Sequence, residues 1–195
     1  MIKLNLSAQT LQKLRQLLQV KEGCTYEFLG FELNLETSYV KDALNPQAIA
    51  RFTEWHIQLL ATLLSHYAQA TPTSLIGKLI KFKDLPGGYA YEGAFNKRAI
   101  NPIADFFGET PELLKQAGKQ IGGNELSYGE SSVEITALAG IPLTYILWSA
   151  EEFAASASIL YDQTACNYLP TEDLAVLAEL TTGRLIEAKN CKLTK

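Results

Sequence analysis

The chain has 195 residues, 47% of them hydrophobic, and 21 Asp and Glu outweigh 17 Lys and Arg to leave a net charge of −4. That length and composition predict one globular domain over residues 1–195 and exclude a disordered chain. The acidic balance argues against a nucleic-acid binder, and the apolar runs stop short of the ~20 residues that a membrane span needs.

The opening MIKLNLSAQT carries no signal-peptide or lipidation pattern, so the expected location is cytoplasmic. Cys24, Cys166 and Cys191 stand far apart without a CxxC spacing, which predicts reduced thiols and no zinc or redox motif.

Ser7 is placed to cap a first helix with Leu11, Leu14, Leu17 and Leu18 along one face, ended by Gly23. Next, Phe31, Leu33 and Leu35 alternate with Glu32, Asn34 and Glu36, the pattern of a half-buried strand. Gly30 then marks a tight turn or bulge between that strand and residues 24–29. Asn45 and Pro46 open the longest predicted helix, reaching about Gln69, with apolar residues over more than one face. Its histidines, His56 and His66, are separated by ~15 Å along a straight axis and cannot share one metal ion.

Residues 75–83 read as a strand, and 85–95 as a loop with three glycines and two tyrosines. That loop has neither GxGxxG nor GxxxxGK[ST] spacing. Helices are expected over 96–107, kinked or broken at Asn101-Pro102, and over 111–121. A strand over 131–138 leads through Gly140 to a hairpin made of residues 143–148 and 156–161. After a loop and Pro170, Thr171 is placed to cap a last helix, with Glu172 and Asp173 in its first turn. Gly183 interrupts that helix late, so order is expected to about Ala188, with residues 189–195 frayed. The sum is a single-domain α+β fold, an antiparallel or mixed sheet flanked by helices.

Three groupings of side chains bear on chemistry. Glu151, Glu152 and Asp162 are acidic, yet a hairpin puts the glutamates at its tip and Asp162 at the far end, so no metal site is expected. Lys78, Lys81, Lys83, Tyr89, Tyr91, Lys97 and Arg98 surround the glycine segment. If that loop folds back, Gly87 and Gly88 N–H groups with Tyr89, Tyr91, Lys81 and Arg98 can cradle an anionic or cofactor-like small molecule. The plain alternative sets Lys81 and Lys83 on an exposed edge strand and pairs Arg98 with a carboxylate. A nucleophilic site would need Cys166 or a serine beside a histidine, and no GxSxG elbow occurs.

Several phrases stand together: Lys83-Asp-Leu-Pro-Gly-Gly-Tyr89, Phe95 with Arg98, Gly122-Gly123, IPLTYILW, EEF, ILYD and YLPTEDLAVLAEL. In kind and order they resemble a bacterial family, common in anaerobes, known as domain of unknown function 3786, over about residues 26–186. Some relatives carry a cysteine-rich iron–sulfur segment before this domain; this chain lacks its cysteines. Where the family is more acidic before EEF and has Pro after it, this chain has Ser149-Ala150 and Ala154. The resemblance implies a shared fold and carries over no catalytic residue and no cofactor.

The expected function is a non-catalytic accessory or ligand-binding module. One alternative is a hydrolase or transferase using Cys166 or the carboxylates near Glu152 and Asp162. Another is a protein-interaction subunit, signalled by an exposed apolar patch.

Overall fold

The computed structural model describes residues 1–20, 25–47, 52–149 and 154–192. Two antiparallel sheets and the helices around them make an α+β fold. The smaller sheet has strands β1 (Ile2–Lys3), β2 (Thr25–Phe28), β3 (Phe31–Asn34) and β4 (Tyr39–Asp42), in the order β1-β4-β3-β2. The larger has β5 (Leu79–Lys81), β6 (Asn124–Leu126), β7 (Ser131–Leu138), β8 (Ile141–Trp148) and β9 (Ser156–Asp162), in the order β5-β9-β8-β7-β6.

Apolar runs of strand length, with alternation in β7, build the larger sheet as the sequence predicts. Val133, Ile135 and Ala137 of β7 lie on one face with Leu143, Tyr145 and Leu147 of β8 and Ile159 and Tyr161 of β9, and all are buried. Helix α6 (Thr171–Lys192) lays Leu174, Leu177, Ala178 and Leu185 against that face. Tyr145 Oη donates to the Ala178 carbonyl at 3.2 Å and Tyr161 Oη to the Leu174 carbonyl at 3.0 Å, so the sheet's buried phenols hold the helix by its backbone. Gly183 does not end α6, and the chain expected to fray at 189 stays helical to Lys192. Thr171 begins the helix, but its hydroxyl donates to the Pro86 carbonyl at 2.7 Å instead of capping.

Ser7 caps α1 (Ala8–Leu17) by accepting from Thr10 N at 3.0 Å, as its position foretold. The second helix differs from expectation. Pro46 lies in a turn, and α2 runs over Glu54–Tyr67 with Thr53 as its N-cap. His56 Nδ1 accepts from Thr53 N at 3.2 Å and sits 2.8 Å from its Oγ1, so this histidine closes the helix start. His66, in the last turn, lies 2.5 Å from Asp173 Oδ2 and ties α2 to the start of α6.

The predicted strand over 75–83 shrinks to β5, and the predicted glycine loop is mostly helix: α3 spans Gly88–Phe95. Its continuation, α4 (Asn101–Phe107), follows a π-helical turn over Asn96–Ile100, and α5 covers Glu112–Gln120. Strands β1, β4 and β6 are too short or too polar to have shown in the sequence.

One buried charge network joins the smaller sheet to α6. Arg184, 3% exposed, forks onto fully buried Asp42 with Nη1–Oδ2 2.8 Å and Nη2–Oδ1 2.7 Å. Its Nε donates to the Leu29 carbonyl at 2.9 Å, Nη1 also reaches Glu187 at 2.6 Å, and the guanidinium lies 4.1 Å from the Phe31 ring centre. A Cβ on Gly30 would stand 3.0 Å from Nη2, so glycine at the hairpin tip lets the arginine reach its partners.

Candidate functional site

Local chemistry explains where the candidate anion-binding residues stand. Lys81 ends β5, and its N–H lies 3.3 Å from Asp84 Oδ2, opening a 3₁₀ turn over Phe82–Asp84. Gly87 takes φ +75° and turns the chain into α3. Gly88 packs so closely on the Phe82 carbonyl that a Cβ there would lie 2.0 Å from its oxygen. Its N–H donates to the Leu85 carbonyl at 2.9 Å, so that donor serves the turn and not a guest. The close approach sets Phe95 on Phe82, stacked at 4.0 Å and 10°.

Tyr89 and Tyr91, 80% and 53% exposed, project from α3 into solvent. Arg98 Nε lies 2.9 Å from Glu179 Oε1 on α6, and burial raises the Glu179 pKa while Arg98 opposes the rise. The six candidates therefore do not converge: Lys81 borders a cavity that neither tyrosine nor Arg98 lines.

That cavity, of about 310 Å³, lies between the π turn and β9 and is lined by Lys81, Glu92, Asn96, Asn101, Ser156 and Ser158 among others. Pro102 accounts for the turn. It has no N–H for an α-helical bond to Arg98, and its ring would crowd that carbonyl. The helix widens by one residue, and the Asn101 N–H reaches back to the Asn96 carbonyl. The Asn101-Pro102 signal was thus present in the sequence, read as a kink or break; its outcome is a bulge that carries two asparagines to the cavity.

The larger cleft, about 550 Å³, was not foreseen. It lies between the β2–β3 hairpin and the end of α5 with β7, and Tyr26, Glu27, Gly30, Ile121, Thr136 and Ala139 are among its walls. Two phenols clasp one residue of its wall: Tyr26 Oη accepts from Ala139 N at 3.0 Å, and Tyr67 Oη donates to Ala139 O at 2.7 Å. Burial pushes the Tyr26 pKa up to about 12, against the lowering influence of the Ala139 bond. Tyr26 thus staples the smaller sheet to the β7–β8 turn, and Tyr67 ties the end of α2 to the same turn.

Of the catalytic candidates, Asp162 is engaged in local hydrogen bonds. Asp162, 3% exposed, accepts from Thr164 Oγ1 at 2.7 Å, Thr164 N at 3.0 Å and Gly77 N at 2.7 Å, with Ile76 N farther off at 3.5 Å. Burial acts to raise its pKa, yet these bonds outweigh it and the carboxyl lies below its ordinary value. Cys166 sits in a 3₁₀ turn over Gln163–Asn167, where burial raises the thiol pKa away from the thiolate form. Glu151, Glu152 and Cys24 lie outside the described residues. Among the described residues no group of three or more His, Cys, Asp or Glu could hold a metal ion, and no helix is long and apolar enough to cross a membrane.

The α+β scaffold of two sheets thus carries one hollow beside the π turn and a larger one between the β2–β3 hairpin and the end of α5. A family model, domain of unknown function DUF3786, matches residues 13–184, and the chain belongs to that family. No curated protein and no solved structure matches it.

Proposed function

We propose that the protein is a non-catalytic, ligand-binding accessory module for a small anion-bearing molecule, seated beside the π turn. The observation that carries this reading is the meeting of Lys81 with Asn96, Asn101, Ser156 and Ser158 around one cavity, whose one carboxylate, Glu92, faces Lys83 at 3.8 Å. A cation with neutral hydroxyl and amide donors is a donor set for a phosphate or carboxylate. Among the described residues no carboxylate forms an ion pair with the Lys81 ammonium, whereas Lys83 has Glu92 at 3.8 Å and Arg98 has Glu179. Helical π turns concentrate at functional positions because the extra residue redirects side chains.

A thermal-shift panel of mono- and dicarboxylates, sugar phosphates and nucleotides tests the reading. A ligand at a hundred times its Kd stabilises the fold by about 2.7 kcal/mol. In a chain of this size that is a rise in Tm of about 5–10 °C. The rise should vanish in Lys81→Ala and shrink in Asn101→Ala. A panel without any rise, or a rise that Lys81→Ala leaves intact, ends the proposal.

A further inference from the structure

The 550 Å³ cleft has a property that its side chains alone do not reveal: the free edge of β2 opens into it, opposite the stretch of β7 that runs past its pairing with β6. β2 is the outermost strand of the smaller sheet. Leu29 and Gly30 have φ of +50° and +76°, the two-residue hairpin geometry in which the flanking pair, Phe28 and Phe31, exchanges the closing hydrogen bonds. Antiparallel pairs alternate, so Glu27 opposite Glu32 is the pair without such bonds. The Glu27 N–H and C=O therefore point away from β3, out of the free edge.

Across the cleft the same reasoning applies to β7. Thr136 stands opposite Pro142, which has no N–H to give the ladder. The Thr136 N–H and C=O accordingly turn away from β8, toward the side where β6 has already ended, its Asn124 paired with Glu134. Glu27 and Thr136 both line the cleft.

Charge along the smaller sheet says what this edge accepts. One cross-strand row reads Lys41, Glu32, Glu27. Lys41 Nζ lies 3.2 Å from both Glu32 oxygens, and among the described residues no cation pairs with Glu27. Carboxylates directly opposite one another repel. A further strand beside β2 would continue the row, and a Lys or Arg at that point would do for Glu27 what Lys41 does for Glu32. A charge serving only to keep strand edges apart needs no facing hollow lined by main-chain donors and acceptors.

We propose that β2 binds an extended peptide segment of a partner protein by strand addition within this cleft, with a lysine or arginine of the peptide opposite Glu27. Main-chain hydrogen bonds supply the affinity and the basic side chain the selectivity. This site is separate from the cavity beside the π turn, and the two stand or fall apart.

The test uses the full chain and two fluorescent heptapeptides that alternate threonine and valine about a central residue, lysine in one and glutamate in the other. Anisotropy titrations should show the lysine peptide binding about tenfold tighter. Glu27→Lys, an exposed substitution, should reverse that preference. Glu27→Pro removes the outward N–H without touching the β2–β3 ladder, and should abolish binding of both peptides. Amide signals of Glu27 and Thr136 should shift on titration in the wild type. Equal affinities, binding that survives Glu27→Pro, no binding of either peptide at millimolar concentration, or an edge-to-edge dimer in sedimentation would each overturn the proposal.

Discussion

Asp42→Ala removes the carboxylate that faces Arg184 and leaves a guanidinium 3% exposed, 4.1 Å from the Phe31 ring centre, with only Leu29 O and Glu187 to satisfy it. Taking one partner from a buried pair costs about 3–5 kcal/mol, because the other charge stays desolvated. Glu187 remains at 2.6 Å and is partly solvated, so the lower end of that range applies. A loss of about 3 kcal/mol lowers Tm by about 6–12 °C in a chain of this length. Urea titration followed by circular dichroism gives the same loss as a fall in midpoint, and an unchanged m-value shows that native and denatured surfaces are as before. The double variant Asp42→Leu/Arg184→Met replaces the charges with apolar volume and should recover to within about 1 kcal/mol of wild type. If Asp42→Ala loses less than about 1 kcal/mol, or the double variant is as unstable as the two single losses added, the network is not what joins the smaller sheet to α6.

Two other outcomes are expected. Gly88→Ala must push a methyl carbon into the Phe82 carbonyl and should cost at least about 3 kcal/mol in chemical denaturation, whereas Gly87→Ala, with open space but φ +75°, should cost only about 1–2 kcal/mol. Equal losses at the two positions would refute the packing argument. Asp162→Asn should destabilise by about 1.5–3 kcal/mol at neutral pH by weakening charge-assisted bonds. Because the folded-state pKa lies below the ordinary 3.8, wild type holds this advantage above pH 3.8 and loses it as pH falls through the folded value. The gap between the two denaturation curves should thus stay level near neutrality and close in acid; a gap that persists at pH 2 contradicts the assignment.

Much of the fold was legible because it is local. Alternation delivers β7, apolar runs of strand length deliver β8 and β9, Ser7 delivers the first helix start, and Gly30 delivers the β2–β3 turn. The errors arise where long-range packing overrides a local signal. Three glycines argue against helix in residues 85–95, yet Phe95 stacked on Phe82 and Gly88 on a carbonyl hold α3 in place. Gly183 disfavours helix by about 1 kcal/mol, but Leu185 and Arg184 are buried just beyond it and carry α6 onward. Pro46 can open a helix, but Thr53 and His56 supply a cap later, and the helix takes the capped start. The buried arginine had a trace in sequence: Arg184 follows Leu177 and Thr181 on the apolar stripe of α6, an odd place for a charge without a partner. Its partner Asp42 lies 142 positions away, which no periodicity reports. The large cleft was hidden for the same reason, since its walls come from strands that do not pair.

The Leu-Pro-Gly-Gly phrase shapes the cavity of the proposed ligand site without lining it. Its glycines turn the chain from β5 into α3, Gly87 by its positive φ and Gly88 by close packing on Phe82, and the Gly88 N–H is consumed within the turn. The distance between the end of β5 and the π turn is thereby fixed, and with it the separation of Lys81 from Asn96 across their shared cavity. Pro102 determines the other half of the geometry by forcing the helix to widen where the two asparagines stand. A relaxation at Gly88 should therefore disturb ligand binding at Lys81 without altering any group that contacts the ligand. Removal of the Lys81 ammonium should do the reverse, abolishing binding while leaving urea stability within about 0.5 kcal/mol, as for an exposed side chain. That opposition between stability and affinity separates a residue that shapes the cavity from one that faces the guest.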